Sequence, residues 1–377
     1  MDYRDSEEEA AFRLELRAWL RDHRPEGWQT ITDPAERAEM ERNWQQALYR
    51  AGYAGMSWPE EYGGRALSPV YDAMLNDELA AAEAPPFLVN VNYLGRAMWT
   101  HGTEAQKKRF LPMILSGDAA WCQGFSEPEA GSDLGSLRTR AVLDGDEWVV
   151  NGQKLWTSRS PTADWCFLLV RTDPDAPKHT GISCLLVSMD TPGLEARPVV
   201  LTNGEPMTGE VFFDDVRVPA DQMLGQVGDG WNIAMTAVTV ERGPGDVGYI
   251  AKYHRALKQL EDWAVGSGKV EDPRFRSNLA LAYVRGEAMR VSFLEEVSAR
   301  VAGRPTGPQG SVSKMLWVEA EQGINHLAMD ALGADALLGE APEWLSSYLY
   351  SRASSVYGGT AQIQKNILAQ RVLGMPR

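Results

Sequence analysis

The chain is poor in cysteine, short of positive charge and free of long apolar runs, and each scarcity closes off a class of protein. The three cysteines in 377 residues, Cys122, Cys166 and Cys184, lie far apart in apolar surroundings. Neither a disulfide framework nor a thiolate metal site is expected, and they read as core residues. The five histidines show no H-E-x-x-H or comparable ligand spacing, so no metal is predicted. With 52 acids against 37 bases and a formal net charge of -15, the overall field repels nucleic acid and anionic membrane surfaces. No apolar stretch approaches the ~18 residues of a membrane span. The acidic opening MDYRDSEEEAAF lacks the basic, apolar and small-residue segments of a secretory signal, and a cytoplasmic protein is expected. Neither a G-x-G-x-x-G after a strand nor a G-x-x-x-x-G-K-[ST] occurs, so any nucleotide cofactor must be held by other means.

One further absence is local. From Trp344 to the terminal Arg377 there is no Asp or Glu. In so acidic a chain, an acid-free tail suits contact with an anionic ligand.

What is present divides the chain into three parts. Ser6-x-x-Glu9 is a capping box, and Phe12, Leu16, Trp19 and Leu20 follow on one helical face. Ser68-Pro69 and Thr103-x-x-Gln106 open two more helices, the first expected to stop at Pro85-Pro86 and the second at Ser116-Gly117. Residues 148–218 change texture to short β-type runs (WVV, KLWT, WCFLLV, ISCLLV, EVFFDDVRV), with Asn151-Gly152 reading as a hairpin turn. Helical patterning resumes after the turn-rich PADQMLGQVGDG and continues nearly to the end, broken by SGKVEDP, AGRPTGPQG and GADALLGEAP. The fold class is therefore α+β, mainly α: an N-terminal helical domain (1–118), a central antiparallel β domain (119–225) and a C-terminal helical bundle (226–377).

Three motifs carry chemistry. WCQGFSEPEAGSD (121–133) places glycines and hydroxyls where helix gives way to strand, and backbone N–H groups in such a loop can hold a polyanion without net positive charge; a tight structural turn has the same composition. GQKLWTS (152–158) offers Trp156 beside Thr157 and Ser158, as a core aromatic or as a platform for a planar ring. In the tail, YGGTAQIQ (357–364) combines paired glycines with the uncharged hydrogen-bonding groups of Thr360 and Gln362.

In this order and at this separation the three motifs resemble the acyl-CoA dehydrogenase family, and the resemblance runs over nearly the whole chain. It implies a C-terminal four-helix bundle, with FAD between the β domain and the bundle and partly at a subunit interface. Phe125 and Ser126 then resemble contacts to the flavin ring, Ser132 a contact to the pyrophosphate, Trp156 the aromatic packed on the isoalloxazine, Ser158 the hydroxyl near flavin N5, and Thr360 and Gln362 contacts to the adenosine half. The implied reaction is α,β-dehydrogenation of an acyl-CoA or acyl-carrier-protein thioester to the trans-2-enoyl thioester. The implied partners are an electron-transfer flavoprotein and further subunits, in a homodimer, homotetramer or hetero-oligomer.

This chemistry needs a carboxylate base. Many relatives carry it as a Glu directly after the tail tyrosine, where this chain has Gly358. Others carry it on the first long helix of the bundle, directly before an arginine, and the matching pair here is Glu241-Arg242. Apolar neighbours (Met235, Ala237, Val238, Val240) would raise the pKa of Glu241 and suit it to accept a proton. Gly358 keeps a backbone N–H for the substrate carbonyl and leaves room for a branched or bulky acyl group; one such donor is worth roughly 3 kcal/mol in oxyanion holes. Two departures from the family pattern stand out. Gly243-Pro244-Gly245 is expected to interrupt the helix just after Glu241, and SGKVEDPRFRS replaces the arginine-x-phenylalanine-glycine stretch by which relatives touch a neighbouring subunit's FAD. Gly358 and the SGKVEDPRFRS loop keep open a non-catalytic or half-site subunit of a heteromer; a flavin monooxygenase or oxidase of the same fold is a separate alternative.

Overall fold

The structure, a computed structural model, describes residues 4–87, 89–241, 244–304, 307–339 and 341–376, with backbone alone at 89–92, 240–241 and 244–245. Its first layer holds helices α1 (Glu7–His23), α2 (Pro34–Arg50), α3 (Pro69–Ala81), α4 (Val89–His101) and α5 (Glu104–Ser116). The expected caps are in place. Ser6 and Glu9 form a reciprocal box on α1, Thr103 and Gln106 form another on α5, and Ser68 accepts from the Val70 N–H ahead of α3. Such caps satisfy amide groups that the first turn of a helix cannot pair internally. Phe12, Trp19, Trp44, Tyr53 and Tyr71 interlock edge-on or tilted between α1, α2 and α3, with centroids 5.0–6.0 Å apart.

The middle layer is one sheet of strands β1 (Trp121–Gly124), β2 (Arg140–Asp144), β3 (Glu147–Ser158), β4 (Trp165–Arg171), β5 (Ile182–Ser188), β6 (Leu194–Val199), β7 (Thr208–Pro219) and β8 (Met223–Leu224). Its order is β6-β7-β3-β2-β4-β5-β8, with β1 paired to β4. Most pairs are antiparallel; β1 and β2 run parallel to β4. The apolar run WCFLLV reflects burial on both faces. Phe167 and Leu169 join the core shared with the N-terminal helices, while Cys166, Leu168 and Val170 face the opposite core with Val150, Leu185 and Val211. All three cysteines are buried free thiols.

Asn151-Gly152 is not the hairpin turn expected from its composition. β3 runs straight through it, and the turn lies at Gly145-Asp146, between the paired residues Asp144 and Glu147. Gly152 instead relieves a close approach. Its φ is +150°, the Thr139 Cα would stand 2.7 Å from a Cβ placed there, and the register against β7 shifts between Val150 and Gly152. A glycine inside a strand marks such a bulge.

The last layer contains α6 (Gly230–Glu241), α7 (Gly248–Ser267), α8 (Pro273–Val301), α9 (Gly310–Leu332), the single turn α10 (Ala334–Leu337), α11 (Pro342–Ser354) and α12 (Ala361–Ile367). As expected, the helix bearing Glu241 is interrupted: α6 ends there, a 3-10 turn covers Pro244–Val247, and α7 starts afresh. α6 packs on α4 and on β5, so it belongs with the sheet and the first layer, whereas α7, α8, α9 and α11 pack on one another.

Candidate active site

The loop after β1 is clamped to β3 by a buried ion pair. Lys154 has no solvent-accessible surface and Glu127 keeps only 8%. The Lys154 Nζ donates to Glu127 Oε1 at 2.8 Å and to the Phe125 carbonyl at 3.1 Å, while the Glu127 carboxylate also accepts from the Arg138 and Thr139 amides at 2.7 and 2.8 Å. Burial opposes ionisation of Glu127, but the Lys154 ammonium and the Thr139 donors outweigh it and hold the carboxyl below its usual value. Burial lowers the Lys154 ammonium, with Glu127 opposing. A carboxylate with three donors stays ionised, so both partners carry charge.

This clamp brings the first two motifs together. The Leu155 amide donates to the Ser126 carbonyl at 2.9 Å, which sets Ser126 beside the residue preceding Trp156. Phe125 points inward onto Phe167, with centroids 5.6 Å apart, so its backbone rather than its ring faces the loop. Trp156 is 58% exposed and sits at φ +62° where the register against β7 slips between Lys154 and Thr157; Arg159, at φ +65°, follows. The left-handed region is strained for bulky side chains and is held only when the surroundings impose it. Here the bulge turns an indole outward while Arg159 is anchored to Glu41. Ser126 is half-buried, and Ser132 and Ser158 are exposed. The loop beyond them is tied down by the Asp133–Lys178 pair and by Gly135, whose backbone is packed close to His179; that ring stacks on Trp231 of α6 at 4.0 Å.

The tail motif is built separately. Gly358 and Gly359 turn at φ +61° and +85°, and Gln364 Nε2 donates to both their carbonyls at 3.1 Å. Thr360 Oγ1 accepts from the Ile363 amide and so caps α12, leaving Gln362 exposed on its first turn. α12 packs on α9 rather than on the sheet. Phe125, Ser126, Trp156 and Ser158 are thus gathered in one place, with Ser132 on the adjoining loop, and Thr360 and Gln362 stand on another layer. The side chain of Glu241 lies outside the described residues.

Beside the tail turn is a polar cluster that sequence reasoning missed. The Lys314 Nζ lies over the rings of Trp317 and Tyr357, 4.1 and 4.4 Å from their centroids, and 3.8 Å from where a Cβ on Gly358 would be. Lys314, Trp317 and Glu321 share one face of α9 by their i, i+3, i+7 spacing, the only signal in the sequence. Burial raises Glu321, against the hydrogen bond from Ser354 and the charges of Lys314, Lys252 and Arg352.

An outward indole beside the hydroxyls of Ser126 and Ser158 fits a planar ring with polar substituents, and a flavin nucleotide satisfies both requirements. A helical layer, a sheet and a helical bundle, with that platform at the bulge of the sheet, is the architecture of the acyl-CoA dehydrogenases. Family models for the N-terminal, middle and C-terminal domains of acyl-CoA dehydrogenase match residues 6–118, 122–216 and 228–373, and the chain belongs to that family. Its members are oxidoreductases that bind FAD. The chain is 41% identical over 380 residues to acyl-CoA dehydrogenase IpdE1 of Mycobacterium tuberculosis, covering 97% of each protein. It is 36% identical to acyl-CoA dehydrogenase FadE34 of the same organism, over 94% of this chain and 49% of that protein. Among solved structures, the Tcur3481-Tcur3483 steroid ACAD matches with TM-score 0.85 and 33% identity, over all of both chains. The ChsE4-ChsE5 complex from M. tuberculosis matches with TM-score 0.84 and 31% identity, also over all of both chains.

Proposed function

We propose that the protein oxidises the α,β-bond of a bulky acyl-CoA thioester to the trans-2-enoyl thioester and passes the electrons to an electron-transfer flavoprotein. The observation that carries this reading is Trp156, an indole held outward on strained backbone beside Ser126, in a family whose members bind FAD. Bound FAD would supply the acceptor for the β-hydrogen as hydride. Phe125, Ser126, Ser132 and Ser158 would hold it through hydroxyl and amide groups, Trp156 would cover its ring, and Thr360 and Gln362 would meet the adenosine half. Because those last two stand on a different layer from Trp156, a second subunit completing the site is part of the proposal.

Glu241 is the base that takes the α-proton, and the Gly358 N–H donates to the thioester carbonyl as negative charge develops there. With no side chain at 358, the space beside the Tyr357 turn is left to the acyl group, which accords with a ring-containing substrate of the kind named for the steroid ACAD. Glu241→Gln removes proton affinity but preserves size. It is expected to bind FAD normally and to lose at least about 1000-fold in the rate of anaerobic flavin bleaching by an acyl-CoA, in line with the upper part of the range for general-base catalysis. An unchanged bleaching rate refutes the assignment.

A second reading is favoured by the two-chain complexes among the structural neighbours. In it this chain is one half of a heteromer and its partner supplies part of the site. Turnover by the purified chain alone eliminates it.

A further inference from the structure

The buried Lys154 reaches beyond its ion pair. Besides Glu127, its Nζ donates to the Phe125 carbonyl at 3.1 Å, and that carbonyl belongs to the peptide group whose other end is the Ser126 amide. An ammonium on the oxygen of a peptide draws electron density toward it and makes the N–H a stronger donor. Among the described residues neither the Ser126 amide nor the Ser126 hydroxyl bonds to protein, although the Ser126 carbonyl accepts from Leu155. Ser126 is half-buried, and donors left open in this way beside Trp156 suit a ligand with acceptor atoms.

The surrounding charges do not cancel the effect. Lys154 has no accessible surface, so water does not screen it. Glu127 divides its carboxylate between Lys154 and the Arg138 and Thr139 amides. It also acts on the half-buried Arg171, where its charge opposes the lowering by burial. One anion facing two cations leaves positive charge in excess.

Reduction of a flavin adds negative charge to its ring, and a donor polarised by a buried cation stabilises that charge more than it stabilises the oxidised ring. We propose that Lys154 is a positioning residue that acts through the Phe125–Ser126 peptide to hold the bound flavin at a higher reduction potential than a neutral side chain at 154 would. The inference rests on the reading above only in placing Ser126 against the flavin ring.

The test compares the FAD-loaded parent with Lys154→Met/Glu127→Gln, which removes both charges together. The two-electron potential is read by equilibration with a reference dye, and the Kd of oxidised FAD by calorimetry on stripped protein. Loss of a brace alone weakens oxidised and reduced FAD alike and leaves the potential unchanged. Loss of the polarised donor is expected to weaken reduced FAD about 10-fold more than oxidised FAD, a fall of about 30 mV. Lys154→Gln/Glu127→Gln keeps a neutral donor at 154; it should fall in the same direction, and it stands in if the methionine variant does not hold FAD. A reduced-to-oxidised affinity ratio within about 2-fold of the parent, or one shifted toward tighter binding of reduced FAD, overturns the proposal. Anaerobic bleaching by acyl-CoA thioesters is followed in parallel. Bleaching of the parent with an unchanged potential in the variants sinks this inference and leaves the dehydrogenase standing. A fallen potential with no bleaching of the parent by any thioester does the reverse.

Discussion

Replacing Lys154 by Met tests whether the clamp between the 125–139 loop and β3 organises the flavin platform. The substitution keeps the stem of the side chain but leaves the Glu127 carboxylate, 8% exposed, with two backbone donors and without its ion-pair partner. Breaking a buried pair from one side costs about 3–5 kcal/mol, because the survivor is an uncompensated charge. That is a large share of the roughly 5–15 kcal/mol by which domains are stable. Adding Glu127→Gln removes the charge and should recover most of the loss, giving a coupling energy of about 2–4 kcal/mol in a double-mutant cycle. Urea denaturation of the four proteins measures it. Because pairing holds the Glu127 carboxyl below its usual 4.5, the stabilisation is present above about pH 4.5 and is lost as pH falls through the depressed folded value. The double variant should therefore lack that acid-side loss, and should still bind FAD more weakly because Phe125 and Ser126 lose their brace. Additive single effects, or a Lys154→Met cost below about 1 kcal/mol, refute the reasoning.

Two further perturbations follow from the same geometry. Trp156→Ala removes an indole that packs on nothing internal over most of its surface, so stability should change by less than about 1 kcal/mol while FAD affinity falls about 10-fold or more; a large loss of stability with unchanged affinity contradicts the platform role. Asp72 is pushed up to about 6 from 3.8, chiefly by burial against hydrogen bonds from Ser57. A raised carboxyl destabilises the folded state as pH climbs from about 4 to 6, by roughly 3 kcal/mol at 1.36 kcal/mol per unit. Asp72→Asn should accordingly gain stability relative to the parent at pH 8 but not at pH 4, and a pH-independent difference in denaturation midpoints counts against it.

The layers were legible because helices announce themselves through caps and period, and strands through apolar runs. Ser6, Ser68 and Thr103 each cap a helix as their sequence context implies, and a 3-10 turn over Pro244–Val247 separates α6 from α7. The misplaced hairpin at Asn151-Gly152 has a tertiary cause: the approach of Thr139, distant in sequence, turned a local turn signal into a bulge. Of the site, Trp156 could be named from the motif, but not that it would stand outward, since that depends on the register slip against β7. Lys154 and Glu127 lie within the GQKLWTS and WCQGFSEPEAGSD motifs, but a charge gives no sign in the sequence that it will be buried. Lys314 and Trp317 of α9 meet Tyr357 of the tail turn only through packing, which the sequence does not announce.

The geometry of the tail turn bears on the missing acid at 358. Among the described residues space does not exclude a side chain there: a Cβ would have the Lys314 Nζ at 3.8 Å as its one neighbour within 4 Å. The backbone, at φ +61°, charges a non-glycine residue only about 1 kcal/mol. A carboxylate at this point would instead meet an ammonium that already lies on Trp317 and Tyr357, and pairing with it would depress its pKa and weaken it as a base. A base carried elsewhere than at 358 would avoid that pairing, which accords with the proposed role of Glu241. Gly358→Glu in the Glu241→Gln background should therefore fold with a loss near 1 kcal/mol and recover little bleaching at pH 7. Adding Lys314→Met to it should raise the rate about 10-fold or more by freeing the new carboxylate. Full recovery with Lys314 still present would mean that the cation does not govern the chemistry of this turn.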